Sequence, residues 1–147
     1  MIRAYLAFTE KGLALAQKLA SALPGTVVRC GHGGPGLADW TAEQFAHADA
    51  LIFVGAVGIA VRAIAPHCRN KAVDPAVVVL DECGHFAVPI LSGHLGGAND
   101  LARALAAVCG AVPVITTATD ANGVFAVDAW AKHQHCLVAE LAHIKKV

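Results

Sequence analysis

The chain has 147 residues, of which 56% are hydrophobic and 15% charged, and its 11 basic and 11 acidic side chains balance. This length suits one domain with a real core, and the composition excludes a disordered tail. The balanced charge provides no basic field for nucleic acid, and charge or proline interrupts every apolar run before membrane-spanning length. We therefore expect a compact α/β protein with neither a nucleic-acid partner nor a membrane partner.

The chain alternates strand-like and helix-like patterns. Thr9 is a predicted N-cap for the first helix, and Thr41 with Gln44 three residues later forms a capping-box pattern for the second. The predicted strands cover residues 2–8, 26–30, 51–58, 76–80, 85–91 and 112–116, and the predicted helices cover residues 10–23, 41–47, 59–65, 98–108 and 125–132. A turn at 81–84 predicts a β-hairpin. The alternation predicts a three-layer, Rossmann-like α/β sandwich whose sheet is mostly parallel with one hairpin.

Five cysteines, an odd number, are scattered through the chain and never form a C-x-x-C pair. This pattern argues against a disulfide framework and against a structural zinc site. His133 and His135 do not have the spacing of a helical ligand pair. We therefore expect a protein of the reducing cytoplasm that carries no metal site of its own.

A glycine-rich segment, LSGHLGGANDLA from Leu91, lies where a predicted strand gives way to a helix. Gly93, Gly96 and Gly97 remove side chains there, and the first backbone amides of a helix have no intrahelical partner. An anion is predicted to bind these amides, with Ser92 and Asn99 adding polar groups. The alternative is a tight turn with an ordinary N-cap.

Ligands of open α/β sheets gather beyond the carboxyl ends of the strands. We therefore expect the loops after residues 8, 54, 91 and 115 to line one cleft. Their polar groups and glycines are Thr9, Glu10, Gly55, Gly58, Arg62, Ser92, His94, Thr116, Thr117, Thr119 and Asp120.

Four segments, in chain order, resemble the N-terminal region of the CbiG family of cobalamin-biosynthesis proteins. They are FTEKGLALA from Phe8, FVGAVGIAVRAIAP from Phe53, DPAVVVLDECGHFAVPILSGHLGGAND from Asp74 and PVITTATDANGVFAVDAWA from Pro113. Together they cover most of the chain. Their combined order is far more specific than any single glycine motif.

The resemblance implies a cobalt-precorrin-5A hydrolase, which opens the δ-lactone of a cobalt-bearing tetrapyrrole and releases acetaldehyde to give cobalt-precorrin-5B. Cobalt would then arrive inside the substrate, and no resident cofactor is expected. Members of the family carry a further C-terminal domain, so the expected partner is that domain or a separate chain; homo-oligomer formation is left open. We assign the family-like domain to residues 1–132 and a tail or linker to residues 133–147.

Lactone opening needs an activated water, a stabilised oxyanion and a proton for the leaving group. His94 is the best candidate proton carrier, because imidazole titrates near neutrality; the alternative is a histidine that only hydrogen-bonds the turn. Asp100 and Asp120 are candidate partner carboxylates, and each fits an N-cap or turn aspartate equally well.

The substrate class carries acetate and propionate carboxylates, which need donors at close range. Arg62 suits a bidentate contact, and the alternative is a solvated helix face. Hydroxyls at Thr116, Thr117 and Thr119 are further candidates, although β-branched residues are also common at strand ends. A competing function is a non-catalytic domain that binds the tetrapyrrole or docks a partner.

Overall fold

The computed structural model describes residues 1–31 and 33–118. The chain divides into two compact units, Met1–Val114 and Ile115–Val147. The fold described below is that of the first unit. The predicted helix over 125–132 and the predicted domain boundary after residue 132 lie outside the described residues.

The first unit alternates strands and helices in the described part of the chain. The strands are β1 (Arg3–Ala7), β2 (Thr26–Arg29), β3 (Ala50–Val54), β4 (Ala76–Leu80), β5 (Phe86–Leu91) and β6 (Val112–Pro113), and the α-helices are α1 (Glu10–Ala22), α2 (Leu37–His47), α3 (Val57–Ile64) and α4 (Ala98–Cys109). A 3-10 turn, Ala65–His67, follows α3. No helix among the described residues is both long and apolar enough to cross a bilayer.

The six strands form one sheet in the order β2-β1-β3-β4-β5-β6. The first four strands in this order run parallel to one another. β5 pairs with β4 in the antiparallel direction, and β6 runs parallel to β5. Two strands are therefore reversed relative to the other four.

Helices cover both faces of the sheet. α1 and α4 contact each other and the strands on one face, and α2 and α3 pair on the other. Because alternate residues of a strand point to opposite faces, Leu6, Phe53 and Val79 share a core with Trp40 of α2 and Ile64 of α3. The predicted three-layer fold with a mostly parallel sheet and one hairpin is confirmed.

The caps show one prediction that is correct and one that is wrong. Thr9 caps α1, because its hydroxyl accepts a hydrogen bond from the Gly12 amide at 3.0 Å. The capping box at Thr41 is wrong: α2 begins four residues earlier, after Gly36, and Thr41 is a buried residue inside the helix. The apolar Leu37 and Trp40 extend the inward face of α2, and their packing outweighs the local capping pattern.

Other element bounds shift by small amounts. α3 begins two residues before the predicted start, at Val57, and its last turn tightens at Pro66. The predicted strand over 51–58 changes most: β3 ends at Val54, four residues early, because Val57 already begins α3. The predicted strand over 112–116 is three residues shorter, since only Val112–Pro113 pairs with β5.

Candidate functional site

The direction of β5 decides where the glycine-rich turn lies. In the hairpin register Val77 pairs with Leu91, and Leu80 pairs with Ala87. The end of β5 therefore lies beside the start of β4, at the edge where the parallel strands begin, which we call the amino edge. The loop after Val54 lies at the opposite, carboxyl edge. The prediction of one cleft that gathers the loops after residues 54 and 91 is wrong, because the carboxyl-end rule holds only for strands that run in the parallel direction.

The turn between β5 and α4 starts with a strained residue. Ser92 has a φ of 57°, the one positive φ among the described non-glycine residues. It is 8% exposed, and its hydroxyl donates to the backbone oxygen of Asp74 at 3.0 Å. A left-handed serine costs free energy that surrounding contacts must offset. This hydrogen bond holds the turn against the loop that precedes β4.

The amides at the start of α4 are already used within the turn. The Ala98 amide donates to the Ser92 oxygen at 3.1 Å, and the Asn99 amide donates to the Gly93 oxygen at 3.0 Å. The Gly97 amide donates more weakly, to the His94 oxygen at 3.3 Å. These amides are therefore engaged by backbone carbonyls of the turn, and anion binding by the rest of the glycine-rich segment stays a prediction.

Two glycines of the turn are required by geometry. A Cβ at Gly96 would lie 2.5 Å from the Ser92 Cβ and 2.9 Å from the Ser92 oxygen. Gly97, the residue before α4, has a φ of +81°, which side chains rarely allow. The glycines thus permit a close return of the chain onto Ser92.

The loop before β4 brings a buried carboxylate to the same edge. Asp74 is 7% exposed, and its two carboxylate oxygens accept hydrogen bonds from the Arg69 amide at 2.9 and 3.1 Å. Its backbone oxygen accepts from Ser92. Asp74 therefore ties the loop before β4 to the turn before α4.

A cavity of about 350 Å³ opens beside Asp74. One wall is α2, with Phe45, and the other is the 3-10 turn and the loop after it, with His67 and Arg69. The lining residues are Ala42, Phe45, Ala46, Pro66, His67, Arg69, Val73 and Asp74. The rings of Phe45 and His67 lie 5.7 Å apart and are tilted by 35°. Its lining combines apolar side chains with the polar His67, Arg69 and Asp74, and its volume lies at the lower end of the range of small-molecule sites.

The charges around this cavity favour an acidic ligand. Among the described residues no ion pair engages the side chain of Arg69 or of its neighbour Lys71, and both residues are exposed. The Asp74 carboxylate is buried and bound to an amide, so its charge is directed away from solvent. Arg69 therefore brings a cation to the cavity lining, and Lys71 follows it two residues later on the same exposed loop.

The cavity also affects a neighbouring thiol. Burial raises the pKa of Cys68 above its ordinary value, and the negative charge of Asp74 raises it further. The Cys68 thiol donates to the Ile64 oxygen at 3.3 Å. Cys68 is therefore held as the neutral thiol.

Comparison with known proteins supplies the family. The sequence profile described as "Cobalamin synthesis G N-terminal" matches residues 39–120, more than half of the chain. The chain belongs to this family. The matched span includes both the cavity and the β5–α4 turn. The resemblance noted in the sequence is confirmed.

Two curated relatives and one solved structure agree with this assignment. The "Cobalt-precorrin-5A hydrolase" of Salmonella typhimurium is 44% identical over 146 residues, which cover 94% of this chain and 42% of that protein. The protein of the same name from Priestia megaterium is 49% identical over 82 residues, 56% of this chain and 22% of that protein. A crystal structure of a protein described as a cobalamin biosynthesis protein G homolog, from Sulfolobus solfataricus, matches with a TM-score of 0.64 at 28% identity, over 78% of this chain and 36% of that one. The chain thus spans less than half the length of these relatives.

The amino edge of this CbiG-family domain holds several of the predicted residues. His94 is half-buried in the turn, and Asn99 is 4% exposed at the start of α4. Asp100 is exposed and forms an ion pair with Arg103 at 3.1 Å, one helical turn further on. A surface ion pair of this kind is weak, and it is a structural role that any helix start can provide. The structure brings His94, Ser92 and Asn99 together in one turn.

The carboxyl-edge residues lie elsewhere. Gly55 directly follows β3, and a Cβ added there would lie 2.8 Å from the Phe8 ring. Gly58 faces open space. Arg62 is exposed on α3. Since Ala60 and Ile64 bury their side of this short helix, Arg62, two positions from each, lies on the opposite side. The structure does not bring these residues to the β5–α4 turn.

The remaining candidates lie outside the first unit. Thr116 and Thr117 belong to the second unit. Thr119 and Asp120 lie outside the described residues. Their roles stay predictions.

Sequence reasoning missed the residues that line the cavity, chiefly Phe45, His67, Arg69 and Asp74. One signal was present: the run HCRNK at 67–71 places cations just before a buried strand. This run precedes a strand, whereas the carboxyl-end rule points only to segments that follow one.

Proposed function

We propose that this chain forms the substrate-binding face of a cobalt-precorrin-5A hydrolase, and that its amino edge binds the cobalt tetrapyrrole. The cavity at Phe45, His67 and Arg69, joined through Asp74 to the turn that carries His94, is the observation on which the proposal depends. The names of the two curated relatives support the substrate.

The dimensions and chemistry of the cavity suit one edge of such a ligand. A tetrapyrrole is too large to enter a cavity of about 350 Å³ whole. An apolar ring edge would pack against Phe45 and Pro66, and its acetate or propionate arms would reach the cations of Arg69 and Lys71. Charge-assisted contacts of this kind are among the stronger hydrogen bonds.

The proposed reaction consumes one water. Hydroxide adds to the lactone carbonyl carbon, and the ester C–O bond breaks to give a carboxylate and an alcohol. Loss of the alcohol proton, with cleavage of the adjoining C–C bond, releases acetaldehyde and leaves a carbanion that takes up a proton. His94 is the proposed proton carrier for these steps, because histidine is the commonest general acid and base in enzymes and this one is half-buried in the turn.

The cofactor, the partner and the cellular compartment follow from the same proposal. The cobalt is part of the substrate, and we propose no resident cofactor for the reaction. Because the chain spans 42% of the Salmonella relative, the proposed partner is the remaining part of such a protein, in the same chain or in a separate one. The proposed compartment is the cytoplasm, which is supported by the four described cysteines, all of them free thiols.

The test separates binding from chemistry. Binding is measured by adding the chain to the substrate and following the substrate's visible absorbance. Acetaldehyde release is measured with the chain joined to its C-terminal partner. Arg69→Ala is expected to weaken binding about tenfold, the loss of one charge-assisted hydrogen bond. His94→Ala is expected to keep binding and to lower acetaldehyde release at least about 100-fold. Lys18→Ala, an exposed cation on α1, is the matched control and is expected to change neither.

Each outcome has a defined meaning. Unchanged turnover in His94→Ala would remove His94 from the chemistry. Unchanged binding in Arg69→Ala would remove the cavity from the substrate site. If the chain binds the substrate but turnover depends only on residues of the partner, the catalytic role belongs to the partner and this chain is a binding domain.

A further inference from the structure

We infer that the β4–β5 hairpin turn, on the carboxyl edge, binds a divalent transition ion such as Zn²⁺ or Co²⁺ through Asp81, Cys83 and His85. One carboxylate oxygen, one thiol sulfur and one imidazole nitrogen from these residues lie within 4.8 Å of one another. This inference is independent of the proposed function, because the turn lies at the opposite edge of the sheet from His94.

The carboxylate is fixed in place before any ion arrives. Asp81 Oδ1 accepts hydrogen bonds from the amides of His85 and Phe86 at 2.9 and 2.8 Å. Its Oδ2 accepts a longer one, 3.2 Å, from the Cys83 amide. Oδ2 is therefore the less engaged oxygen, and it is the one that faces the imidazole.

The turn itself is anchored on both sides. Gly84 adopts a φ of +70° and packs against α1 and α4, since a Cβ built there would lie 3.5 Å from Leu15 and 3.7 Å from Cys109. The Thr9 hydroxyl donates to Glu82 at 3.1 Å. A rigid backbone thus holds two exposed side chains, Cys83 and His85, that are free to rotate toward one point.

One separation already falls in the range of a tetrahedral site: His85 Nδ1 lies 3.7 Å from Asp81 Oδ2, and ligands about 2.0–2.3 Å from zinc are about 3.3–3.8 Å apart. The other ligand atoms lie within 4.8 Å, so small side-chain rotations would bring them to one ion. A sulfur, a nitrogen and an oxygen form a donor set that suits borderline ions better than Mg²⁺ or Ca²⁺. Three protein ligands leave the fourth position for water. The expectation of no metal site came from a search for C-x-x-C, which a D-x-C-x-H turn does not match.

One group competes with the ion. Lys11 Nζ lies 3.1 Å from Cys83 Sγ and donates a hydrogen bond to it. Metal binding would convert the thiol to a thiolate with release of its proton to solvent, and the exposed Lys11 side chain would move away. Binding of the ion therefore replaces the contact between the Lys11 ammonium and the Cys83 sulfur.

The experiment uses Co²⁺ itself, because tetrahedral cobalt shows visible d–d bands and a near-ultraviolet band when a thiolate coordinates it. Titration of the full 147-residue chain is expected to produce both. Cys83→Ser is expected to abolish the thiolate band, and His85→Ala to weaken Co²⁺ binding at least about tenfold. Cys68→Ser is the matched control at another exposed cysteine and is expected to retain the band. Lys11→Met is expected to bind at least as tightly as the unaltered chain.

Three results would overturn the inference. The first is the absence of a thiolate band at saturating Co²⁺. The second is a band that persists in Cys83→Ser and disappears in Cys136→Ser, which would assign the ion to the HQHC run at 133–136. The third is weaker binding by Lys11→Met. A circular-dichroism spectrum of each variant without metal separates loss of the ion from loss of the fold.

Discussion

Two glycine-rich junctions join a strand to a helix in this domain, and they use glycine for different reasons. Between β5 and α4, a Cβ at Gly96 would lie 2.5 Å from the Ser92 Cβ, so the chain returns onto itself. In the first turn of α3, a Cβ at Gly58 would meet nothing within 4 Å, and the one close approach of that junction is at Gly55, just after β3, whose added Cβ would lie 2.8 Å from the Phe8 ring. The first junction is a closed, self-bonded turn, and the second is an open helix start. Similar composition therefore does not imply a similar local structure.

The hydrogen bonds at the two helix starts also differ. In the closed turn, the Ala98 and Asn99 amides donate to carbonyls of the turn itself. At the open start, the Ala60 amide makes only a long contact of 3.5 Å to the Ala56 oxygen, and no side chain caps the helix. Valines on α3 are partly exposed, with Val57 at 40% and Val61 at 46%. Stability at the closed turn depends on the loop, whereas α3 depends on the packing of Ala60 and Ile64.

The largest expected effect is on thermal stability, when the same glycine-to-alanine substitution is made at each of the two junctions. In Gly96→Ala the new Cβ would clash with the Cβ and the backbone oxygen of Ser92, so the turn has to shift. Overpacking of this kind costs about 3 kcal/mol of unfolding free energy. At about 3 °C per kcal/mol, the midpoint of thermal unfolding should fall by about 10 °C. Differential scanning calorimetry measures it.

Gly58→Ala is the matched control for this prediction. The added methyl group meets open space, and alanine loses less conformational entropy in a helix than glycine does, so stability should rise by up to about 1 kcal/mol. Equal destabilisation by both substitutions would contradict the distinction between a closed and an open junction.

A second, smaller effect tests what holds the closed turn in place. Ser92→Ala leaves the buried Asp74 oxygen without its hydroxyl donor and keeps the positive φ, so unfolding free energy should fall by about 2 kcal/mol. Urea unfolding with an unchanged m-value measures the loss. Thr9→Ala at the cap of α1 supplies a comparison, because a lost N-cap costs about 1 kcal/mol. A neutral Ser92→Ala would show that the turn does not need its link to Asp74.

Much of the fold follows from the sequence because hydrophobic periodicity carries it. The fully buried strand AVVVL at Ala76–Leu80 and the cap at Thr9 are local signals, and both predictions are correct. The start of α2 is not local: Leu37 and Trp40 are helical because they pack on the sheet, which the Thr41 pattern does not indicate. Strand 112–116 is short because pairing with β5 lasts only two residues.

The candidate site was harder to predict than the fold, because its position depends on the direction in which β5 runs. The hairpin was predicted correctly, and it reverses β5, yet the carboxyl-end rule was applied to Leu91 as if that strand were parallel. The turn that carries Ser92 and His94 was predicted from its own segment, and it does join β5 to α4. The link from Ser92 to Asp74 joins residues 18 positions apart through a backbone oxygen, and no residue pattern reports such a bond.

The smallest expected effect tests whether the amino-edge loop is as closed as the turn it contacts. Burial and the Asp74 charge both disfavour the Cys68 thiolate, so its pKa lies above the ordinary thiol value of 9.0. Folding therefore favours the neutral thiol, and this contribution to stability is complete below that value and is lost as the pH rises through the raised pKa. Iodoacetamide reacts with the thiolate, so labelling of Cys68 should reach half its maximal rate at a higher pH than N-acetylcysteine does.

Mass spectrometry can follow this thiol alone, because trypsin cleavage after Arg62 and Arg69 releases a peptide whose one cysteine is Cys68. Asp74→Asn removes the charge while keeping an oxygen to accept the Arg69 amide, and it should lower the labelling midpoint toward the ordinary value. A midpoint at or below that of N-acetylcysteine in the unaltered chain would mean that the loop leaves Cys68 solvated. The loop around Cys68 would then be more open than the turn at Ser92, whose hydroxyl is held by the Asp74 oxygen.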